Sequence, residues 1–392
     1  MTTHAVPISR PSSDPAPVPL LDINRQNEPL RAEVLSAITE VVDTGAFLKG
    51  PAVRDLEAAV AELCGTEHAI GCASGSDAIL VALMALGIGP GDEVIVPSFT
   101  FFATAGCVSR LGATPVFADL IPETFNIDPA DVARRITPAT KAILPVHLFG
   151  QPADIDALTA LAEEHGLPVI EDAAQAIGAT YQGRPIGGIG DVGCISFYPT
   201  KNLGGMGDGG MITTNDGKLA QRVRVLCDHG QNPRYHHSLV GLNSRLDTMQ
   251  AAALGVKLKR LGSYAEARQR HAAIYAEAFA ANPAISVPTE AAGCQSVWNQ
   301  YTVRVSDGRR DELQKWLAER KIGSAIYYPI PLHLQACFAG LGYQPGDLPH
   351  TERAAEEVLS LPVFPELRRE EQARVIDAIG AFAGATTVRL AA

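Results

Sequence analysis

Three short segments of this chain hold residue types that can do covalent or acid–base chemistry. The first is Ser196-Phe197-Tyr198-Pro199-Thr200-Lys201-Asn202-Leu203-Gly204-Gly205, a β-rich run that ends in a lysine flanked by Pro and Gly. A lysine becomes a nucleophile when desolvation or nearby positive charge lowers its pKa; otherwise it is a surface charge. The second is Val169-Ile170-Glu171-Asp172-Ala173-Ala174-Gln175, two apolar residues followed by two carboxylates and then small residues. Ligands of open α/β sheets sit at the carboxyl ends of strands, so Asp172 is placed to project into a crevice, although a solvated loop or a helix cap fits the same pattern. The third is Ala73-Ser74-Gly75-Ser76-Asp77-Ala78, directly before the apolar stretch Ile79–Leu86. A small, hydroxyl-rich turn opening a helix offers free N–H groups to an anion, typically phosphate; it also fits an ordinary N-cap.

Two glycine patterns point elsewhere. Gly188-Ile189-Gly190-Asp191-Val192-Gly193 and Gly205-Met206-Gly207-Asp208-Gly209-Gly210 both match GxGxxG. A dinucleotide fingerprint follows a strand and opens a helix, whereas each of these precedes a strand-like run. They are better read as loops passing close to a ligand. His229, His236 and His237 lie near Asp228 but lack metal-ligand spacing, so no metal is expected.

The elements that must position these residues follow from periodicity. Apolar spacing gives helices over Leu30–Val42 and Val53–Leu63. Short β-rich runs then recur at Glu93–Val96, Pro115–Phe117, Ala142–Val146, Val169–Ile170, Cys194–Tyr198 and Met211–Thr214. Helical stretches at Ser76–Leu86, Asp154–His165 and Lys218–Cys227 lie between several of them. Such alternation predicts an α/β architecture with a largely parallel sheet. Leu246–Phe279 reads as one long helix, bent near Gly262, linking two lobes. Strands at Tyr301–Val305 and Ala325–Tyr328 and helices at Asp311–Arg320 and Glu352–Leu359 predict a second, α+β lobe. The expected divisions are a loose Pro-rich tail (1–20), a large α/β domain with its N-terminal arm (21–262) and a small C-terminal domain (263–392).

Composition narrows the function classes. The chain has 392 residues, 46% of them hydrophobic, enough for a substantial core. Its 32 basic and 43 acidic residues leave a formal charge of −11, which argues against a nucleic-acid or anionic-membrane partner. No stretch approaches the roughly 20 apolar residues of a membrane span, and no secretory signal is evident. Seven cysteines without close pairs do not make a disulfide framework. A cytoplasmic, soluble protein is the expectation.

A phosphate turn, a strand-end acid, a serine and a lysine have one economical common use. Pyridoxal 5′-phosphate needs a lysine to condense with its aldehyde, an acid beside its pyridine nitrogen and a phosphate cradle. With Gly89-Pro90-Gly91-Asp92-Glu93-Val94-Ile95, Pro145-Val146-His147-Leu148-Phe149-Gly150-Gln151, Gly241-Leu242-Asn243-Ser244-Arg245-Leu246-Asp247 and Leu359-Ser360-Leu361-Pro362, these segments resemble the DegT/DnrJ/EryC1/StrS family of nucleotide-sugar aminotransferases from about Leu21 to the C-terminus.

The resemblance implies the fold type I architecture of pyridoxal-phosphate enzymes, with a mostly parallel seven-stranded sheet in the large domain and a smaller α+β domain. It implies that Lys201 binds the cofactor covalently and shuttles a proton, that Asp172 pairs with the pyridine nitrogen and that Gln175 contacts the ring. It gives phosphate binding to Gly75, Ser76 and Ser196, ring stacking to Phe101, and to Asn243 a reach to the cofactor phosphate of the second subunit of a homodimer. Lys at 201, where eliminating relatives carry His, favours amino transfer over dehydration. The implied reaction passes nitrogen from L-glutamate to a nucleotide-linked keto sugar. The segments Asn232–His237, Asn243–Arg245 and Tyr328–Leu332 look most like members that aminate C3 of a UDP-linked 3-keto-hexuronic acid; C3 or C4 of a dTDP- or UDP-linked keto-6-deoxy sugar is the alternative. Arg245, Tyr327, Tyr328 and His333 are then the expected substrate contacts, Arg245 through a bidentate carboxylate pair. Tyr327-Tyr328-Pro329 departs from the His-Tyr-Pro of much of the family.

Overall fold

The computed structural model describes residues 16–390. Its central layer is built from seven strands: β1 (His68–Cys72), β2 (Glu93–Pro97), β3 (Thr114–Ala118), β4 (Thr140–Ile143), β5 (Ile170–Asp172), β6 (Val192–Ser196) and β7 (Gly210–Thr214). They form a four-stranded ladder, β1-β7-β6-β5, and a three-stranded one, β4-β2-β3. Parallel bridges at Ile143–Val169 and Val146–Asp172 join the two edge to edge. The resulting order is β1-β7-β6-β5-β4-β2-β3, and only β7 runs against its neighbours. Strands of such a sheet are covered on both faces and read as continuous apolar runs. Val94, Ile95 and Val96 are accordingly buried, as are Val192, Cys194 and Ile195. Helices Gly75–Ala85, Ala103–Arg110, Ile155–His165 and Gly217–Cys227 are among the covering elements.

β1 has no counterpart in the periodicity, because His-Ala-Ile-Gly-Cys carries little β-branched content. β4 ends earlier than the apolar run 142–146 suggests. Leu144 still pairs with Ile95, but Pro145 has no N–H to donate.

A second, antiparallel sheet joins Ile285–Ser286, Tyr301–Val305 and Val358–Leu361. Helices Arg310–Glu319 and Arg369–Leu390 contribute to its core, with Tyr275, Leu313, Leu317, Phe364, Val375 and Ile379 buried together. Three expectations are corrected here. The helix over Glu352–Leu359 is Pro349–Glu357, and Leu359 lies in the strand that follows. Ala325–Tyr328 is not a strand: Ala325 alone pairs with Ser360. The long helix is two, Thr248–Leu258 and Leu261–Phe279. The break comes before Gly262, where the Arg260 N–H turns back to the Lys257 carbonyl.

The tail expectation is corrected at its C-terminal end. Val18 bridges Ile322 and is 1% exposed within the second core, so apolar burial orders the arm before residue 20. Residues 1–15 lie outside the described residues.

Candidate functional site

Successive side chains of a strand point to opposite faces, so Glu171 and Asp172 face apart. Asp172, 5% exposed, accepts from the Thr104 hydroxyl at 2.9 Å and from the Ala174 N–H at 3.2 Å. Its backbone is clamped to the segment after β4: its N–H donates to Pro145 O (2.9 Å) and its carbonyl accepts from His147 N–H (3.0 Å). Burial pushes its pKa up; the Thr104 and Ala174 hydrogen bonds and the charge of Lys201 pull the other way.

Lys201 sits in a tight turn leaving β6. The Lys201 N–H donates to Tyr198 O (2.8 Å) and the Gly205 N–H to Phe197 O (2.7 Å). Asn202 donates to Val297 O at 2.9 Å and accepts from the Asn299 amide at 2.7 Å. Desolvation lowers the Lys201 amine to about 8, opposed by attraction to Asp172. The two groups thus feel each other, and burial biases each toward its neutral form.

The anion turn adjoins them. Ser74 caps helix Gly75–Ala85 by accepting from the Asp77 N–H at 3.1 Å. The first amides of a helix have no intrahelical acceptor, and its dipole is positive there. A Cβ on Gly75 would lie 2.5 Å from Ser196 Cβ, so only glycine lets this helix end meet the end of β6. Ser74, Gly75, Ser76 and Ser196 thereby form one hydroxyl-rich cluster where the helix end meets β6. The thiols of Cys72 and Cys107 donate to Ser74 O and Ser76 O, both at 3.3 Å, and brace the turn from below.

An aromatic wall closes another side. Tyr328 lies 6.0 Å from Phe99 and 6.5 Å from Phe101, and Phe101 is 58% exposed. Gln175 donates to the Tyr328 hydroxyl at 3.2 Å and accepts from the Phe149 N–H at 2.6 Å. Burial raises the Tyr328 phenol, and Tyr327 beside it feels Tyr198 of the lysine turn.

The fold therefore brings together Lys201, Asp172, Gly75, Ser76, Ser196, Gln175, Phe101, Tyr327 and Tyr328. Arg245 lines a different space. It donates to Asp228 at 2.9 Å, shares that carboxylate with Lys49 (2.6 Å), and borders a cavity of about 720 Å³ with Arg224 and Arg234. Asn243 is exposed on the same strap, paired by backbone with Asp228. The expectation for His333 is corrected: it is 1% exposed, its Nδ1 faces Ser98 Oγ at 2.7 Å, and its Nε2 faces Glu352 at 3.2 Å. Both ring nitrogens are engaged in holding the 331–335 segment against β2, and no side is open to substrate.

Two features escaped the sequence reading. Thr104 is the nearest polar support of Asp172, 68 positions away, and no local pattern marks it. The first GxGxxG, with Gly187 just before it, is an amide cage: the N–H groups of Gly187, Ile189 and Gly190 donate to Glu171 at 2.9, 2.8 and 2.7 Å. In the second, Gly210 lets β7 pass under the anion turn, since a Cβ there would meet Ser74 O at 2.4 Å.

Known proteins match this architecture along its length. The sequence pattern of the DegT/DnrJ/EryC1/StrS aminotransferase family matches residues 29–380. The chain is 52% identical over 367 residues to a pleiotropic regulatory protein of Geobacillus stearothermophilus, covering 93% of this chain and 98% of that one. It is 48% identical to dTDP-3-amino-3,4,6-trideoxy-alpha-D-glucose transaminase of Streptomyces venezuelae (92% and 95% covered). It is 44% identical to UDP-2-acetamido-2-deoxy-3-oxo-D-glucuronate aminotransferase of Pseudomonas aeruginosa (89% and 96% covered). The crystal structure of S. venezuelae DesV superposes with a TM-score of 0.91 at 48% identity, covering 94% of this chain and 98% of that one.

Proposed function

Since the chain belongs to the DegT/DnrJ/EryC1/StrS aminotransferase family and is a pyridoxal-phosphate-dependent sugar aminotransferase, we propose that it moves an amino group from L-glutamate to C3 of a UDP-linked 3-keto-hexuronic acid. The observation that carries the catalytic part is a buried Lys201 amine within electrostatic reach of buried Asp172, at the strand end where Gly75 closes on Ser196.

The residues present fit the cofactor. Gly75, where a Cβ would collide with Ser196, lets the free amides of the helix end and the Ser196 hydroxyl come together with Ser76 beside them, a donor set suited to a phosphate. Asp172, desolvated and short of a full counter-charge, suits a protonated pyridine nitrogen. Phe101 and Gln175 border the place for the ring. When bound, the cofactor supplies an aldehyde that carries nitrogen and a ring that accepts electrons. Lys201, lowered to about 8, has both protonated and free forms accessible near neutrality, as a residue that takes and returns a proton at the substrate carbon must. Thr104 aims Asp172, and buried Tyr328 covers that side.

Three things support the C3 reading: relatives named as 3-amino or 3-oxo sugar transaminases, the cationic cavity around Arg245, and the Asn243–Arg245 segment. Exposed Phe47, Leu48, Tyr235, Val240 and Met249 around that strap suit contact with a second copy, which would bring Asn243 and Arg245 to the other subunit's Lys201. A second reading, a dTDP-linked 3-keto-6-deoxy sugar, is favoured by the pairing of Arg245 with Asp228, which leaves less free charge for a carboxylate. Incubating the protein with glutamate and each keto-sugar nucleotide, then locating the new nitrogen by NMR, tests the proposal. Formation of 2-oxoglutarate and a 3-amino uronate is expected. Selective amination of the uncharged sugar would replace this reading, and turnover by Lys201→Ala would end it.

A further inference from the structure

Lys257, on helix Thr248–Leu258, is 0% exposed, and no step of the proposed reaction uses it. Its ammonium donates to the carbonyl of Gly204 at 2.5 Å. Burying an ammonium costs several kcal/mol unless it is well compensated, and an apolar residue of similar volume serves packing as well or better. The acceptor belongs to the turn that carries Lys201. A Cβ on Gly204 would lie 2.2 Å from Pro199 O, so this carbonyl sits where the two limbs of the turn touch.

The other limb is held from the second lobe. Arg268, also buried, donates to the carbonyls of Trp298 (3.0 Å), Asn299 (3.3 Å) and Val363 (2.8 Å). Asn299 in turn grips Asn202. Both cations feel Glu366, whose Oε2 is buried without a hydrogen-bond partner. Two consecutive helices thus send one cation each toward the flanks of Lys201, and both feel the same carboxylate.

We propose that Lys257 is a positioning residue: by fixing the Gly204 carbonyl, with Glu366 as counter-charge, it aims Lys201 into its desolvated place opposite Asp172. The inference rests on Lys201 being the cofactor lysine and adds the group that orients it. Positioning of this kind is worth up to about 10²-fold when a reacting group shifts by an ångström.

The test uses full-length apoprotein and two probes. Pyridoxal phosphate reports covalent capture by Lys201 through its visible band; pyridoxamine phosphate has no aldehyde and reports cradle binding alone. Lys257→Met is expected to slow capture by roughly 10–100-fold while changing pyridoxamine phosphate affinity less than about threefold. The pH midpoint of capture should move up from about 8, as the amine slips toward water. Lys257→Arg should restore most of the rate. Should Lys257→Met not fold, Lys257→Gln, polar but too short for Gly204, carries the same measurements. Capture at the wild-type rate and midpoint in a folded Met or Gln variant overturns the proposal, whatever the melting temperature. Wild-type protein that captures no pyridoxal phosphate, and is indistinguishable from Lys201→Ala, overturns the cofactor-lysine reading instead.

Discussion

At the end of β5 one carboxylate enters a cage and its neighbour enters a reaction space. Glu171 receives three backbone N–H groups and His147, whose Nδ1 accepts from the Ala153 N–H (3.0 Å) and whose Nε2–H therefore donates to Glu171 (3.0 Å). These donors outweigh burial and hold its pKa below the ordinary glutamate range. Asp172 receives one hydroxyl and one amide, and burial wins, raising its pKa. The difference teaches that burial does not define a functional acid. A carboxylate whose lone pairs are already filled is architecture; one left under-compensated is poised for a cation that arrives later.

Asp172→Asn should break the comparison on the active side. Asn keeps the shape and the Thr104 and Ala174 geometry but supplies no charge to a pyridine nitrogen. We expect turnover to fall roughly 10³-fold, with little loss of apoprotein stability. Steady-state assay of the amino sugar and a melting curve of the apoprotein check both halves. Undiminished turnover would remove Asp172 from the chemistry.

Glu171→Gln is the complementary test. A Gln amide nitrogen must replace either the oxygen that accepts from the Gly187 N–H and the His147 Nε2–H or the one that accepts from the Ile189 and Gly190 N–H groups, so two donors lose their acceptor in a dry place. The expected cost is about 3 kcal/mol of stability, measured by denaturant unfolding, while turnover per folded molecule stays within about threefold. A large loss of turnover at intact stability would mean that the cage takes part in catalysis.

The two acids should also respond to pH with opposite signs. The folded-state pKa of Glu171 is lowered, so it stabilises the fold above its unfolded value of 4.5, and that contribution is lost as pH falls toward the folded pKa. The gap between wild type and Glu171→Gln should therefore narrow in acid. The folded-state pKa of Asp172 is raised, so its ionisation works against the empty fold as pH climbs from 3.8 through the folded value. Asp172→Asn apoprotein should gain on wild type over that rise. Unfolding free energies of the three proteins across roughly pH 3–7, measured without cofactor, would show whether the two curves diverge.

How far the sequence reveals this arrangement depends on how local each cause is. Lys201 and Asp172 are legible because each ends a β-rich run and is followed by turn or small residues, and a parallel sheet puts such ends in one crevice. The anion turn is legible because its hydroxyls and the following apolar helix are contiguous. Thr104 is hidden because its helix meets β5 only through the folded sheet. His333 misled because its type and its place directly after Tyr328–Leu332 suggest a substrate contact, whereas its burial is decided by Ser98 and Glu352 from two other elements. The 246–279 segment is legible as far as a bend near Gly262, but the full break at 258–261 rests on the Arg260–Lys257 turn, which the apolar spacing does not show. What the chain does to itself within a few residues is readable; what distant segments do to one another is not.

Thr104→Val makes the smallest change and isolates the compensation itself. The substitution keeps the volume and removes the side-chain hydroxyl that donates to Asp172, along with a 3.2 Å contact to Thr100. The ionised form of Asp172 then loses a donor, so its pKa should rise further above the ordinary range. We expect turnover to fall about tenfold, the equivalent of one hydrogen bond of about 1.4 kcal/mol, with the loss greatest at the acid end, where the raised pKa leaves more of Asp172 protonated and without charge. The decisive measurement is a double-mutant cycle. In the Asp172→Asn background there is no carboxylate to tune, so adding Thr104→Val should cost nothing further. Independent, additive losses would mean that Thr104 acts through the helix it stands on and not through Asp172.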